Sequence, residues 1–168
     1  MQVKTAIDFT EKSAIFSDDQ IYRYQLLRRW EGGNGKFVTF VMLNPSTADH
    51  LLEDPTIRRC CLYAKDWGYS GIIILNIFAY RDTDPKNMKA YHAPVGPDNN
   101  WHILEVSRRE DVGLVIAAWG SHGIHLGRSE EVRKLLSNID LHCLQLTNSG
   151  QPGHPLYLKK NLLPTLYI

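Results

Sequence analysis

Apolar residues fall along this chain in two rhythms. Phe37 to Leu43, broken only by Thr39, and Ile72 to Leu75 are continuous apolar runs, and Gly113 to Ala118 is a third. Short runs without a polar face are the pattern of strands buried on both sides, as in the interior of a parallel sheet. Leu141 to Leu146 reads as a fourth strand. Between these runs the spacing turns helical. Asp54-Pro55-Thr56 combines a capping side chain with proline at the first helical position, and Ile57, Cys60, Cys61, Ala64 and Trp67 then make one apolar stripe that Gly68 ends. Arg58, Arg59 and Lys65 lie off that stripe and read as a solvated face. Asp98 to Arg109 and Arg128 to Ser137 read as two more helices, with a short one near Lys86 to Ala90.

Upstream, Ala14 to Phe16 and Ile21 to Leu27 flank the polar turn Ser17-Asp18-Asp19, which predicts an antiparallel hairpin at a sheet edge. Tyr22 and Tyr24 alternate with Arg23 and Gln25, as in a strand with one face in the core. Gly32-Gly33-Asn34-Gly35 then turns the chain into the first buried run. Strand, capped helix, strand is a right-handed βαβ unit. The expected fold class is therefore α/β, a three-layer α/β/α sandwich with a central, mostly parallel four-stranded sheet plus an N-terminal antiparallel hairpin. One domain is expected to span residues 1–168.

Each buried run ends on polar residues. The first stops at Asn44-Pro45, the second at Asn76, the third at Trp119-Gly120-Ser121-His122, and the fourth runs into Thr147-Asn148-Ser149-Gly150-Gln151-Pro152-Gly153-His154-Pro155. Open α/β sheets bind ligands outside the carboxyl ends of their strands, so Asn44, Asn76, Trp119 and His154 are expected around one crevice.

Composition narrows the classes. A formal net charge of +1 excludes attachment to nucleic acid by bulk charge and leaves room for a local basic groove. Three cysteines, with Cys60 and Cys61 adjacent and Cys143 far away, form neither a disulfide framework nor a spaced metal site, which favours reduced core residues and the cytoplasm. No apolar stretch approaches the ~18 residues of a membrane span. No metal, no cofactor and no membrane contact are expected, and the protein is expected to be a monomer.

The motifs VMLNPSTAD, DPTIRRC, WGYSGIIILNIFAYRDTDP, AWGSHG and GHPLYL, in that order, resemble a family of small, mostly bacterial proteins known as a conserved domain of unknown function. That resemblance covers the chain from Tyr22 to Pro164. A more distant one is to the uracil-DNA glycosylase superfamily. Its landmarks are a strand ending in an Asn-Pro or Asp-Pro loop, a strand of the type LLLNAVLTVR, a Trp-Gly after a third strand and a late His-Pro loop. Here they are matched by Asn44-Pro45, IIILNIFAYR, Trp119-Gly120 and His154-Pro155.

The second resemblance implies a hydrolase that flips a uracil-type or modified base out of DNA and cleaves its N-glycosylic bond. Asn44 would then sit beside the scissile bond, Asn76 would read the edge of the base and His154 would donate a hydrogen bond to a base carbonyl. Those residue types suit the chemistry, because an amide offers both a donor and an acceptor and a fixed donor at the carbonyl acts most in the transition state. Pro45, Ser46 and Trp119 join the base pocket, and Phe78 or Tyr80 would stack on the base. DNA phosphates would meet Thr47, Arg81, His122, Lys159 and Lys160. Two departures stand out. Asn44 cannot act as a general base, so a carboxylate such as Asp49 or Asp54 must activate water, and Leu156 replaces the serine familiar after His-Pro. Alternatives stay open: Asn44 also suits a plain turn before proline, Trp119 also suits the core, and the same fold without cleavage would be a binding module for a nucleobase, nucleotide or DNA.

Overall fold

The computed structural model describes residues 6–47, 51 and 54–167. Seven strands and four α-helices follow in the order β1 (Phe9–Phe16), β2 (Arg23–Trp30), β3 (Phe37–Met42), α1 (Pro55–Asp66), β4 (Gly71–Asn76), α2 (Pro85–Ala90), α3 (Asn99–Ser107), β5 (Val112–Ala117), α4 (Arg128–Leu135), β6 (Leu141–Cys143) and β7 (Thr165–Leu166). All seven strands form one sheet in the order β1-β2-β4-β3-β5-β6-β7. The middle four, β4, β3, β5 and β6, are mutually parallel, while β1, β2 and β7 add antiparallel edges.

The apolar runs do what their composition demands. Strands send alternate side chains to opposite faces, so a run apolar at every position must be covered twice. Val38, Phe40, Met42, Ile72 and Ile74 pack with Cys60, Cys61, Tyr63 and Ala64 of α1. Val41, Ile73, Leu75, Val115 and Ala117 pack instead with Ile103 and Val106 of α3 and Val132 of α4. Residues Ile72 to Leu75 are at most 3% exposed, and burying such side chains stabilises by roughly 1.5–3 kcal/mol each. The three cysteines are buried in the core, as expected.

Helix α1 starts as its sequence predicts. The Asp54 Oδ1 accepts hydrogen bonds from the backbone N–H of Thr56 at 2.7 Å and Ile57 at 3.3 Å. It stops after Trp67, where Gly68 takes a φ of +84°, a left-handed conformation that glycine adopts without a Cβ clash.

The sheet is larger than expected. The expected antiparallel hairpin forms one edge of the sheet, with β1 outermost, and it is continuous with the parallel strands: β2 pairs with β4 from Leu26–Ile74 to Arg29–Gly71, so β2 itself is an interior strand. Consequently Arg23 and Arg28 are buried along with Tyr22 and Tyr24. The pairing satisfies the N–H and C=O groups that a parallel β4 would otherwise expose at an edge. Strand β6 ends at Cys143 rather than Leu146, and the two-residue β7 pairs with it at His142–Leu166 and Cys143–Thr165. So short a strand has no hydrophobic period to announce it. Among the described residues no helix is long and apolar enough to cross a membrane.

Candidate active site

At the carboxyl ends of β3, β4 and β5 the sheet opens into a cleft of about 550 Å³. Asn44, Asn76, Trp119 and His154 all line it, together with Pro45, Ser46 and His122. Register explains the convergence of the first two. Met42 pairs with Asn76 in the parallel β3–β4 ladder, and two further bonds, Ile77 N–H to Met42 C=O and Phe78 N–H to Leu43 C=O, carry the pairing past the strand ends. Both asparagines therefore leave the sheet side by side.

Asn44 is oriented by backbone. Its Nδ2 donates to the Asp82 carbonyl at 2.7 Å and to the Pro45 carbonyl at 3.3 Å. With the amide nitrogen so occupied, Oδ1 is the group left to accept from a ligand or water. Asn76 is the converse case. It is 2% exposed and its Nδ2 has no hydrogen-bond partner. Behind it, Asn99 Nδ2 donates to the carbonyls of Asn76 and Ile77 at 2.8 and 3.2 Å, and Arg128 Nε donates to the Ile77 carbonyl at 2.7 Å. The backbone at the end of β4 is thus clamped, while Asn76, in the cleft lining, keeps a buried donor without a partner.

His154 comes from the far loop. Gly153 N–H donates to the Gln145 carbonyl and Gly120 N–H to the Pro152 carbonyl, each at 2.7 Å, which ties this loop to the turn after β5. The His154 Nδ1 accepts from the Leu156 N–H at 3.2 Å, so in the neutral ring Nε2 carries the proton. Burial pushes the His154 pKa below its ordinary value, with Asp54 opposing, and the imidazole is held neutral. Trp119 is 1% exposed, and its Nε1 donates to Gln151 Oε1 at 3.0 Å. The turn at Gly123 passes so close to the indole that a Cβ there would lie 2.0 Å from Trp119 Cδ1. Trp119 is both core and cleft wall.

Other expected residues lie elsewhere. Phe78 is wholly buried against His125, and Tyr80 stacks on Tyr91 with ring centroids 3.9 Å apart, so neither aromatic face is open to the cleft. Arg81 turns away, with Nη1 donating to the Gln20 carbonyl at 2.9 Å and its guanidinium over the Phe16 ring. Thr47 bonds Thr83 at the rim, and Lys159 and Lys160 are exposed outside the wall. His122 lies in the wall with its Nδ1 2.8 Å from Lys89 Nζ. Asp49 falls outside the described residues.

Asp54, one of the two carboxylates considered for activating water, lines the cleft. Three further residues of the cleft have no counterpart in the sequence reading: Asp82 adds a second carboxylate, Tyr157 stands 82% exposed at the mouth beside His154, and Arg23 forms part of the wall. Tyr157 sits inside the HPLYL motif itself, which was a visible signal, whereas Arg23 is one of three arginines in β2 and nothing local sets it apart. Arg59 does not belong to a solvated face. Its Nη1 donates to the carbonyls of Leu158 at 2.7 Å and Pro155 at 3.4 Å, one turn before Tyr63, whose hydroxyl donates to the Lys159 carbonyl, and two turns before Trp67, whose Nε1 donates to the Leu162 carbonyl at 3.3 Å. Spacing of four places these donors on one face of α1, and together they hold the segment that follows His154.

A cleft at the carboxyl ends of the parallel strands is where open α/β sheets commonly hold ligands. Residues 23–156 match the family described as Protein of unknown function (DUF1643), and the chain belongs to that family. No curated protein and no solved structure matches the chain.

Proposed function

We propose that this domain is an N-glycosylic-bond hydrolase of the uracil-DNA-glycosylase-like type, a three-layer α/β/α fold that takes a uracil-type or modified base flipped out of DNA. The observation that carries the reading is the shared cleft of Asn44, Asn76 and His154, whose volume of about 550 Å³ is that of a small-molecule pocket. Base excision breaks the bond between the sugar and the base, sends the electron pair onto the base, gives the hydroxyl of a water to the sugar carbon, and leaves the remaining proton of that water on the base. A neutral His154 with its proton on Nε2 supports this, because a donor aimed at a base carbonyl strengthens as charge develops there. Asn76 Nδ2 supplies a second donor for the base edge, and Asn44 Oδ1 accepts a proton of the attacking water in a hydrogen bond. Tyr157 at the mouth takes the stacking role that Phe78 and Tyr80 cannot fill.

The assay is formation of abasic sites on single-stranded and duplex DNA carrying a panel of modified bases. His154→Ala and Asn44→Ala are each expected to lower kcat by about 10²–10³ with little change in DNA affinity. A variant that keeps full rate removes its residue from the mechanism. One observation favours a second reading, a binding module without cleavage: Oδ1 of Asp54 is committed to the cap of α1, and Oδ1 of Asp82 accepts from Asp84 N–H at 2.8 Å and Asn87 Nδ2 at 3.1 Å. Each carboxylate thus has one oxygen already committed to the scaffold. No release from any substrate, alongside base binding that Asn76→Ala abolishes, selects the module.

A further inference from the structure

Arg23 begins β2 beside the cleft, its backbone N–H donating to the Ala79 carbonyl at 3.0 Å three residues past Asn76. The residue is 5% exposed and lines the cleft wall, yet Nε has no hydrogen-bond partner. No acidic side chain among the described residues forms a salt bridge with it. Its electrostatic surroundings make the position more costly: Arg81 and Arg28 repel it and Asp54 alone attracts it. Desolvation, the larger influence, and Arg81 bring its pKa down to about 10, which leaves it charged at neutral pH. The neighbouring arginines are each anchored through a terminal nitrogen, Arg81 to the Gln20 carbonyl and Arg28 to the Leu27 carbonyl, both at 2.9 Å, although Arg81 also has an unpartnered Nε. Arg23 lines the cleft without such an anchor among the described residues and is the open cation of this corner.

A desolvated guanidinium without an anion is strongly unfavourable, and its fork geometry matches carboxylate and phosphate oxygens. We propose that Arg23 is the anion-binding residue of the cleft, and that the ligand brings an oxyanion, a carboxylate or a phosphate, to this corner. The neighbouring open group has the same polarity. Asn76 Nδ2 is also an unpartnered donor, so this side of the cleft asks for acceptors and offers few. The inference goes beyond base excision, because it fixes the charge of the ligand whether or not a bond is cut.

The test is calorimetric titration of the full chain with inorganic phosphate, with the pyrimidine carboxylate orotate and with neutral uracil, together with thermal unfolding at saturating anion. At least one anion is expected to bind the wild type, with an affinity about 10- to 100-fold weaker in Arg23→Gln and partly kept in Arg23→Lys. Preference for phosphate assigns the corner to a nucleotide or DNA phosphate; preference for orotate assigns it to a carboxylated heterocycle. The anion is expected to raise the Tm of the wild type and leave that of Arg23→Gln flat, and without anion Arg23→Gln unfolds at the same or a higher temperature. Equal anion affinity in wild type and Arg23→Gln, or binding of neither anion, overturns the proposal. So does a variant that fails to fold, since the guanidinium would then hold the structure. Absent base release with intact anion binding defeats only the base-excision reading, and the reverse pattern defeats only this one.

Discussion

Two buried arginines meet the chain near the end of β4 and are treated in opposite ways. Arg128, 1% exposed, places Nε on the Ile77 carbonyl at 2.7 Å, Nη1 on Glu131 at 2.6 Å and Nη2 on Asn100 Oδ1 at 2.7 Å. Arg23 is nearly as buried and has an unpartnered Nε. Burial depresses the pKa of both, and Glu131 offsets that at Arg128 through a close pair. A buried charge whose donors are all engaged holds a structure, whereas one left open is retained for something that arrives. The same residue type thus marks the scaffold in one place and the binding surface in the other.

The sharpest way to break this contrast is Arg128→Ala. It strands Glu131, Asn100 and the Ile77 carbonyl, and a loss of about 3–5 kcal/mol is expected in urea unfolding; a loss near that of an ordinary surface substitution would mean that Arg128 is no more structural than Arg23. A smaller effect is expected from Asp54→Ala, which removes the cap of α1 and costs about 1 kcal/mol, read from the same unfolding curves. Because Asp54 also attracts Arg23, that variant is expected to bind phosphate or orotate more tightly, and unchanged affinity would separate the two groups electrostatically.

Acidification is expected to have the smallest effect. Burial holds His154 and His102 below the ordinary value of 6.5. The unfolded chain therefore takes up these protons first. Their contribution is fully present above about 6.5 and is lost as pH falls from there through the lowered native values. The denaturation midpoint should fall between about pH 7 and pH 5, with a shallower slope in His154→Asn. An identical slope would mean that the His154 ring does not titrate between the folded and unfolded states.

What could be read in the sequence follows from where each constraint resides. The apolar runs at Phe37 to Leu43 and Ile72 to Leu75 and the Asp54-Pro55 cap are local statements, and the parallel strands and α1 follow from them. Asn44 and Asn76 could be expected in one cleft because each leaves a parallel strand at its carboxyl end, and His154 because its loop follows the strand run on the same side; all three line the cleft. Arg23 was hidden by its strand: alternation with Tyr22 and Tyr24 implies a solvated face only if β2 lies outside, and its pairing with β4 is a contact between distant segments. Phe78 and Tyr80 failed as stacking groups for a similar reason, since their partners His125 and Tyr91 come from other parts of the chain. Arg59 looked like surface charge because its acceptors lie 96 and 99 residues away.

The hold of α1 on the segment beyond His154 has a consequence for exchange of residues there. Arg59, Tyr63 and Trp67 grip carbonyl oxygens, which every amino acid carries, so the helix directs the path from Pro155 to Leu162 through its backbone as well as through the apolar side chains it buries. Leu158 and Leu162 pack against the core and are held to apolar types, but the exposed positions Tyr157, Lys159 and Lys160 can change without moving the imidazole upstream.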